Sequence, residues 1–201
     1  MFTRIYGRAC SFDEPFPAMH TPQNMTKTLD LLWNNYLVLA SQVDTQSMDP
    51  DLLAEHRQQH TPTQPLRLAT WLTRQSFFLS AWSLWEQYSA SVCSGTDSDM
   101  RKSKHLEWVR HAMSARGITF RECQWFLDAR CVRNLIAHYA GRVDNQKTRK
   151  WLETGRKAFP GIDTYSDGYL HLTHDHVAEL QVKIEEYVDE SVQQDAWRAT
   201  K

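Results

Sequence analysis

Apolar residues recur at helical spacing along most of the chain, and this pattern predicts an all-α protein. Residues 1–24, with Pro15, Pro17 and Pro22, carry no clear period and read as an irregular N-terminal arm that can pack through Phe12 and Phe16. A helix is predicted over 26–43, with Leu29, Leu32, Trp33, Tyr36 and Leu39–Ala40 on one stripe. Asp49 and Pro50 supply an N-cap and a first helical residue for a short helix to about residue 59, and Pro62 and Pro65 follow as breakers. The stretch 66–93 is the most apolar, with Trp71, Phe77, Phe78, Leu79, Trp82, Leu84, Trp85, Tyr88 and Val92. A helix that is apolar nearly all round belongs at the centre of a bundle. A cationic helix over 99–116 (Arg101, Lys102, Lys104, Arg110) turns Leu106, Val109 and Met113 inward and is closed by Gly117.

The strongest periodicity lies in 119–141, where Trp125, Ala129, Val132, Ile136 and Tyr139 are spaced four, three, four and three residues apart. Thr119 and Glu122 have the spacing of a capping box at its start, and Gly141 marks its end. A shorter polar helix is expected over 145–159, then a turn at Pro160-Gly161 and a small hairpin or extended segment over 165–172 around Asp167-Gly168. The last helix, 175–196, turns Val177, Leu180, Ile184, Tyr187 and Val188 to the core and an acidic face to solvent. No repeat, low-complexity tract or composition break divides the chain, so 25–201 reads as a single domain.

The 201 residues can bury a sizeable core without disulfide or metal staples. Hydrophobic residues at 41%, charged residues at 23% and eight Trp are globular values. None of Cys10, Cys93, Cys123 and Cys131 forms a Cys-x-x-Cys pair, and three of them lie in apolar helical patterns, as reduced core thiols of a cytoplasmic protein do. No apolar run approaches the ~20 residues of a membrane span, so no membrane association is expected. The net charge of −1 removes any global attraction to nucleic acid and requires that an RNA contact come from a local basic surface.

A few polar residues break these patterns. Asn134 and His138 are four apart and share one helix face, with Arg130 a turn earlier, opposite Trp125, Val132 and Ile136. Arg133 sits at the margin of the apolar face, where a guanidinium is partly desolvated and needs a carboxylate. Glu86 is the lone acid in 66–93 and the natural partner. By itself this pair does no more than fix helix register, and His138 alone reads as a histidine favoured by a helix C-terminus.

Taken together, Arg133-Asn134-Leu135-Ile136-Ala137-His138 resembles the Arg-polar-x-x-x-His signature of HEPN domains. Trp82-Ser83-Leu84-Trp85-Glu86 resembles the preceding bundle helix of that family, which carries an acid after aromatic residues. Tyr169–Thr173 leading into a final amphipathic helix is similar to many members, and the resemblance covers about 66–192. It implies an antiparallel four-helix-bundle core over about 66–196, with extra N-terminal helices and a small extended segment before the last helix. Some members carry a Tyr two residues after the His. Here Tyr139 follows directly and Ala140 holds the later position, so nucleotide addition to that Tyr is not carried over.

The resemblance also implies a metal-independent endoribonuclease with a composite site in a homodimer, acting as a toxin or defence effector restrained by an antitoxin or other regulatory protein. His138 would be the acid–base group, Arg133 the phosphate clamp and Asn134 an orienting group. Glu86 would hold Arg133, and Arg130 and Arg142 would touch the RNA backbone. No cofactor and no metal are expected: His171 lies in the extended segment, His174 and His176 straddle a helix start capped by Thr173 or Asp175, no fourth ligand is near, and all three read as surface histidines. No phosphate-binding glycine loop or nucleophile elbow occurs. The alternative is a non-catalytic helical module of the same shape that binds a protein or nucleotide partner.

Overall fold

The computed structural model describes residues 21–48, 64–92 and 123–199, with isolated helical positions at 107, 109, 110 and 114. The expected arm up to residue 20, the short helix over 49–59, most of the cationic 99–116 helix and the Thr119/Glu122 cap lie outside the described residues. The described chain is mostly helical: α1 Pro22–Met48, α2 Gln64–Val92, α3 Cys123–Tyr139, α4 Gln146–Gly155, β1 Asp163–Thr164, β2 Leu170–His171 and α5 His174–Ala199. No described helix is long and apolar enough to cross a membrane.

α1 starts earlier than its apolar stripe suggests. Thr21 accepts the Asn24 N–H at 3.3 Å, and Pro22 takes the first helical position, where its missing N–H costs nothing. Met25, Leu29 and Tyr36 are buried, but Leu39 is half-exposed. α2 is central, as its composition predicts. Phe77, Phe78, Ala81, Trp82, Leu84, Trp85 and Tyr88 are all buried. Phe77 meets Trp33 and Tyr36 of α1, and Trp85 stacks on Phe126 of α3 at 4.3 Å and 15° while meeting Tyr187 of α5 edge-on at 5.8 Å. Such pairs add about 0.5–1.5 kcal/mol each to the area they bury. Val109, the buried residue of the cationic helix that is described, turns inward as expected.

Directions follow from cross-contacts. Arg74 donates to Leu172 O just before α5, and Tyr88 hydrogen-bonds Ser191 near its other end, so α2 and α5 run in the same sense. Ser191 gives its own proton to Val188 O, which leaves Tyr88 as the donor between the two hydroxyls. Trp85–Phe126 at one end of α3 and the approach of Gln75 to Gly141 at the other set α3 antiparallel to α2.

The buried face of α3 is centred on Phe126, Ala129, Val132 and Leu135, with Ile136 beside them. Trp125 and Tyr139, expected on the core stripe, are only half-buried because α4 draws them to a second junction. There Trp125 Nε1 donates to Ala158 O at 3.0 Å, and Tyr139 meets Trp151 edge-on at 5.6 Å. Between them Gly155 packs so closely that a Cβ on it would stand 2.5 Å from Val132 Cγ2. α3 ends through two left-handed residues, Ala140 (φ 47) and Gly141 (φ 72), and the Gly141 N–H reaches back to Leu135 O at 2.9 Å.

α4 begins with a capping box between Asn145 and Thr148. The two short strands pair antiparallel, Asp163 with His171 and Thr164 with Leu170, around a turn closed by Gly168 (φ 83). α5 carries the expected core set: Val177, Leu180, Ile184, Tyr187 and Val188 are all buried.

His176 is not a surface histidine; it is 7% exposed. It occupies the third position of α5 and closes a capping box with Thr173: its N–H reaches Thr173 Oγ1 at 3.3 Å, and its Nδ1 accepts the Thr173 N–H at 3.1 Å. That fixes the proton on Nε2, which donates to Pro160 O at 3.2 Å. Burial lowers the pKa of His176 and outweighs the Pro160 bond, and the His171 and Arg74 charges push the same way as burial. His171, its ring tilted 36° against that of Tyr165 at 4.5 Å, also has its pKa lowered, by burial and by Arg74. His174 is exposed and bonds Tyr36 Oη through Nδ1 at 2.9 Å.

Two outcomes are expected. Gly155→Ala should cost about 1–3 kcal/mol, read by denaturant unfolding, and Val132→Ala should recover part of it; an unchanged midpoint would contradict the close packing. A histidine whose folded pKa is depressed leaves stability intact above its unfolded value near 6.5 and removes it as pH falls further, because the unfolded chain binds the proton first. Tm should therefore fall between about pH 7.5 and 5.5. His176→Gln, which keeps an acceptor for the Thr173 N–H, should flatten that fall; parallel curves for the two proteins would refute the assignment.

Candidate functional site

α3 places Arg133, Asn134 and His138 on the face between its contacts with α2 and α4. Its Arg133 edge meets α2. Its other edge meets α4, where Thr154 hydrogen-bonds the Cys131 thiol. Arg130 and His138 are exposed on the face between, and Asn134 is half-buried.

Glu86 and Arg133 come together across α2 and α3, with Arg133 Nη2 3.6 Å from Glu86 Oε2 and the two side chains 28% and 31% exposed. The other carboxylate oxygen of Glu86 accepts the Trp82 indole N–H at 2.8 Å. Arg133 Nη1 donates to Asn134 Oδ1 at 3.1 Å, which leaves the Asn134 amide N–H groups pointing away from the guanidinium. The result is a chain Trp82–Glu86–Arg133–Asn134 that holds a guanidinium at the rim of the core. Exposure screens the ion pair, so its net worth is at most about 1 kcal/mol and its main effect is orientation.

His138 follows one turn after Asn134 and is open to solvent. Arg142 is not part of the cluster: it lies beyond the helix end, pairs with Asp144 at 3.2 Å and bridges through its backbone to Tyr169. Arg130 is exposed a turn before Asn134 and Arg133. The other described histidines belong to the β2–α5 junction, so a single chain offers one imidazole on this face among the described residues.

Both described cysteines, Cys123 and Cys131, are free. Burial raises the Cys131 pKa against the pull of Arg130, and burial raises that of Cys123 against Arg110, so neither is a ready nucleophile. Among the described residues no group of three or more His, Cys, Asp or Glu is arranged to hold a metal.

Three features escaped the sequence reading. Asp128 is 7% exposed on α3 and accepts from Gln124 Nε2 at 3.1 Å. A cleft of about 670 Å³ opens beside the first turn of α3, lined by Trp125, Lys157, Phe159, Asp175, His176 and Glu179 among others, and none of Arg133, Asn134 and His138 borders it. The third is a basic stretch: residues 130–157 hold eight Lys or Arg against Asp144 and Glu153, while 175–199 hold seven acids against Lys183 and Arg198. The near-zero net charge conceals this division, which a windowed charge count finds. Comparison with known proteins returned no matching family model, no matching curated protein and no matching solved structure.

Proposed function

We propose that the protein is a metal-independent, HEPN-type endoribonuclease whose working site is assembled from two copies of α3. The supporting observation is the chain Glu86–Arg133–Asn134 with His138 exposed on the next turn. An oriented guanidinium suits the non-bridging oxygens of a phosphodiester, and an accessible imidazole suits proton transfer near neutral pH. The basic stretch 130–157 adds the local field that the net charge lacks. On the same reading α2, α3 and α5 belong to an antiparallel four-helix-bundle core.

The reaction follows from these groups. The 2′-hydroxyl loses its proton to one imidazole and attacks the adjacent phosphorus. The P–O5′ bond breaks as a second imidazole protonates the leaving oxygen, giving a 2′,3′-cyclic phosphate and a 5′-hydroxyl. One histidine cannot serve both sides of the phosphorus at once, so a two-fold dimer supplies His138 and Arg133 twice. Arg133 stabilises the phosphorane oxygens and Asn134 orients the phosphate or imidazole, while Glu86 keeps Arg133 in place. Arg130 lies free to meet the RNA backbone, whereas Arg142 must first leave Asp144. A chain of this activity calls for a restraining protein, and the toxin or defence role belongs to this same proposal.

The runner-up, a non-catalytic module for a protein or nucleotide partner, draws on the cleft beside Trp125 and on Arg133 being already engaged by Glu86 and Asn134.

Purified protein should cleave single-stranded RNA in EDTA and leave cyclic phosphate ends. His138→Ala should slow cleavage about 10²–10⁴-fold with its helical circular dichroism unchanged. Equal cleavage by both proteins, or none by either, rejects the nuclease reading. Arg133→Lys keeps the charge but loses the planar fork, so it should fall well short of native cleavage; a full rate from it would remove Arg133 as a forked clamp. Glu86→Gln should lower the rate less than Arg133→Ala does, because it loosens the guanidinium without deleting it.

A further inference from the structure

Helical periodicity assigns Tyr139, the residue after His138, to the core stripe, yet it is only partly buried. It meets the partly buried ring of Trp151 on α4 edge-on, with centroids 5.6 Å apart and planes at 78°. Lys147, one turn before Trp151, holds its ammonium 4.7 Å from the Trp151 centroid and 5.7 Å from that of Tyr139. Lys147 is itself exposed, so its ammonium lies over the rings on their solvent side. An exposed ammonium over an aromatic ring is weakly held and can be displaced. Lys150, exposed one turn further along α4, and Arg149 add positive charge to the same helix.

Flat apolar faces framed by cations are the surface that unpaired nucleotides need: the base stacks on a ring, and the phosphates meet the charges. We propose that Tyr139, Trp151 and Lys147 form a stacking platform for an unpaired nucleobase of single-stranded RNA, adjoining His138. The proposal rests on the nuclease reading above and names its substrate class. As the base settles on Trp151, the Lys147 ammonium leaves the ring for the neighbouring phosphate. Double-stranded RNA, whose bases are already stacked on one another, offers no free face to this platform.

The test is binding, measured on the His138→Ala protein so that no RNA is consumed. A labelled single-stranded RNA of about ten nucleotides is titrated by fluorescence anisotropy, beside a duplex and an abasic strand of equal length. Trp151→Leu should weaken binding of the single strand about five- to a hundredfold while leaving its salt dependence unchanged. Lys147→Ala should reduce the salt slope by about one phosphate contact. The abasic strand should bind both proteins equally and weakly. Tyr139→Leu, at a position outside the buried core, provides the same readout if Trp151→Leu does not fold. Single-strand affinity unmoved by these ring substitutions, an abasic strand bound as tightly as the intact one, or no RNA binding at all overturns the platform. The two proposals fail separately. Native protein that cuts RNA, with ring variants that bind the single strand as tightly as their parent, removes only the platform; base-dependent binding without cleavage by the native protein removes only the nuclease.

Discussion

Phe126 is held between Trp85 of α2 and Tyr187 of α5, with all three rings buried, and this contact fixes how far α3 is rotated about its own axis. Every other feature of the site depends on that rotation. With Phe126, Ala129, Val132 and Leu135 committed to the core, Asn134 and His138 must face away from it, and Arg133 must fall at the boundary. Close-packed aromatic interiors do not deform continuously, so the geometry of the open face inherits the rigidity of the core beneath it.

The boundary position of Arg133 explains the polar chain around it. A guanidinium at the rim of an apolar interface loses part of its hydration, and Glu86 with Asn134 replaces what is lost. Trp82 in turn gives its indole N–H to Glu86, so the carboxylate is tied to the aromatic core at one oxygen and faces the guanidinium with the other. Packing and electrostatics meet in one side chain, Glu86.

α4 has a comparable double role. Gly155 lets it lie against Val132 with no side chain between, and that close approach brings Trp151 beside Tyr139 at the end of α3. Thr154 on the same helix satisfies Cys131. At the opposite end of the junction, His176 joins Thr173, Pro160 and the start of α5 through both ring nitrogens, so its neutral form is part of the architecture rather than of any chemistry.

The sequence by itself determined the helices of the described chain to within about five residues, the turn around Gly168, the inward set on α5 and the pairing of Glu86 with Arg133. These are legible because they depend on local spacing: a 3.6-residue repeat, a cap, or a lone acid on an apolar helix opposite a marginal base. Only the tertiary structure decided that Trp125 and Tyr139 leave the core stripe, that Leu39 is half-exposed, that His176 is buried, and that Arg142 turns to Asp144. Periodicity tells which residues share a face of a helix. What covers that face is set by neighbours distant in sequence, and here α4 and the β2–α5 junction supply them.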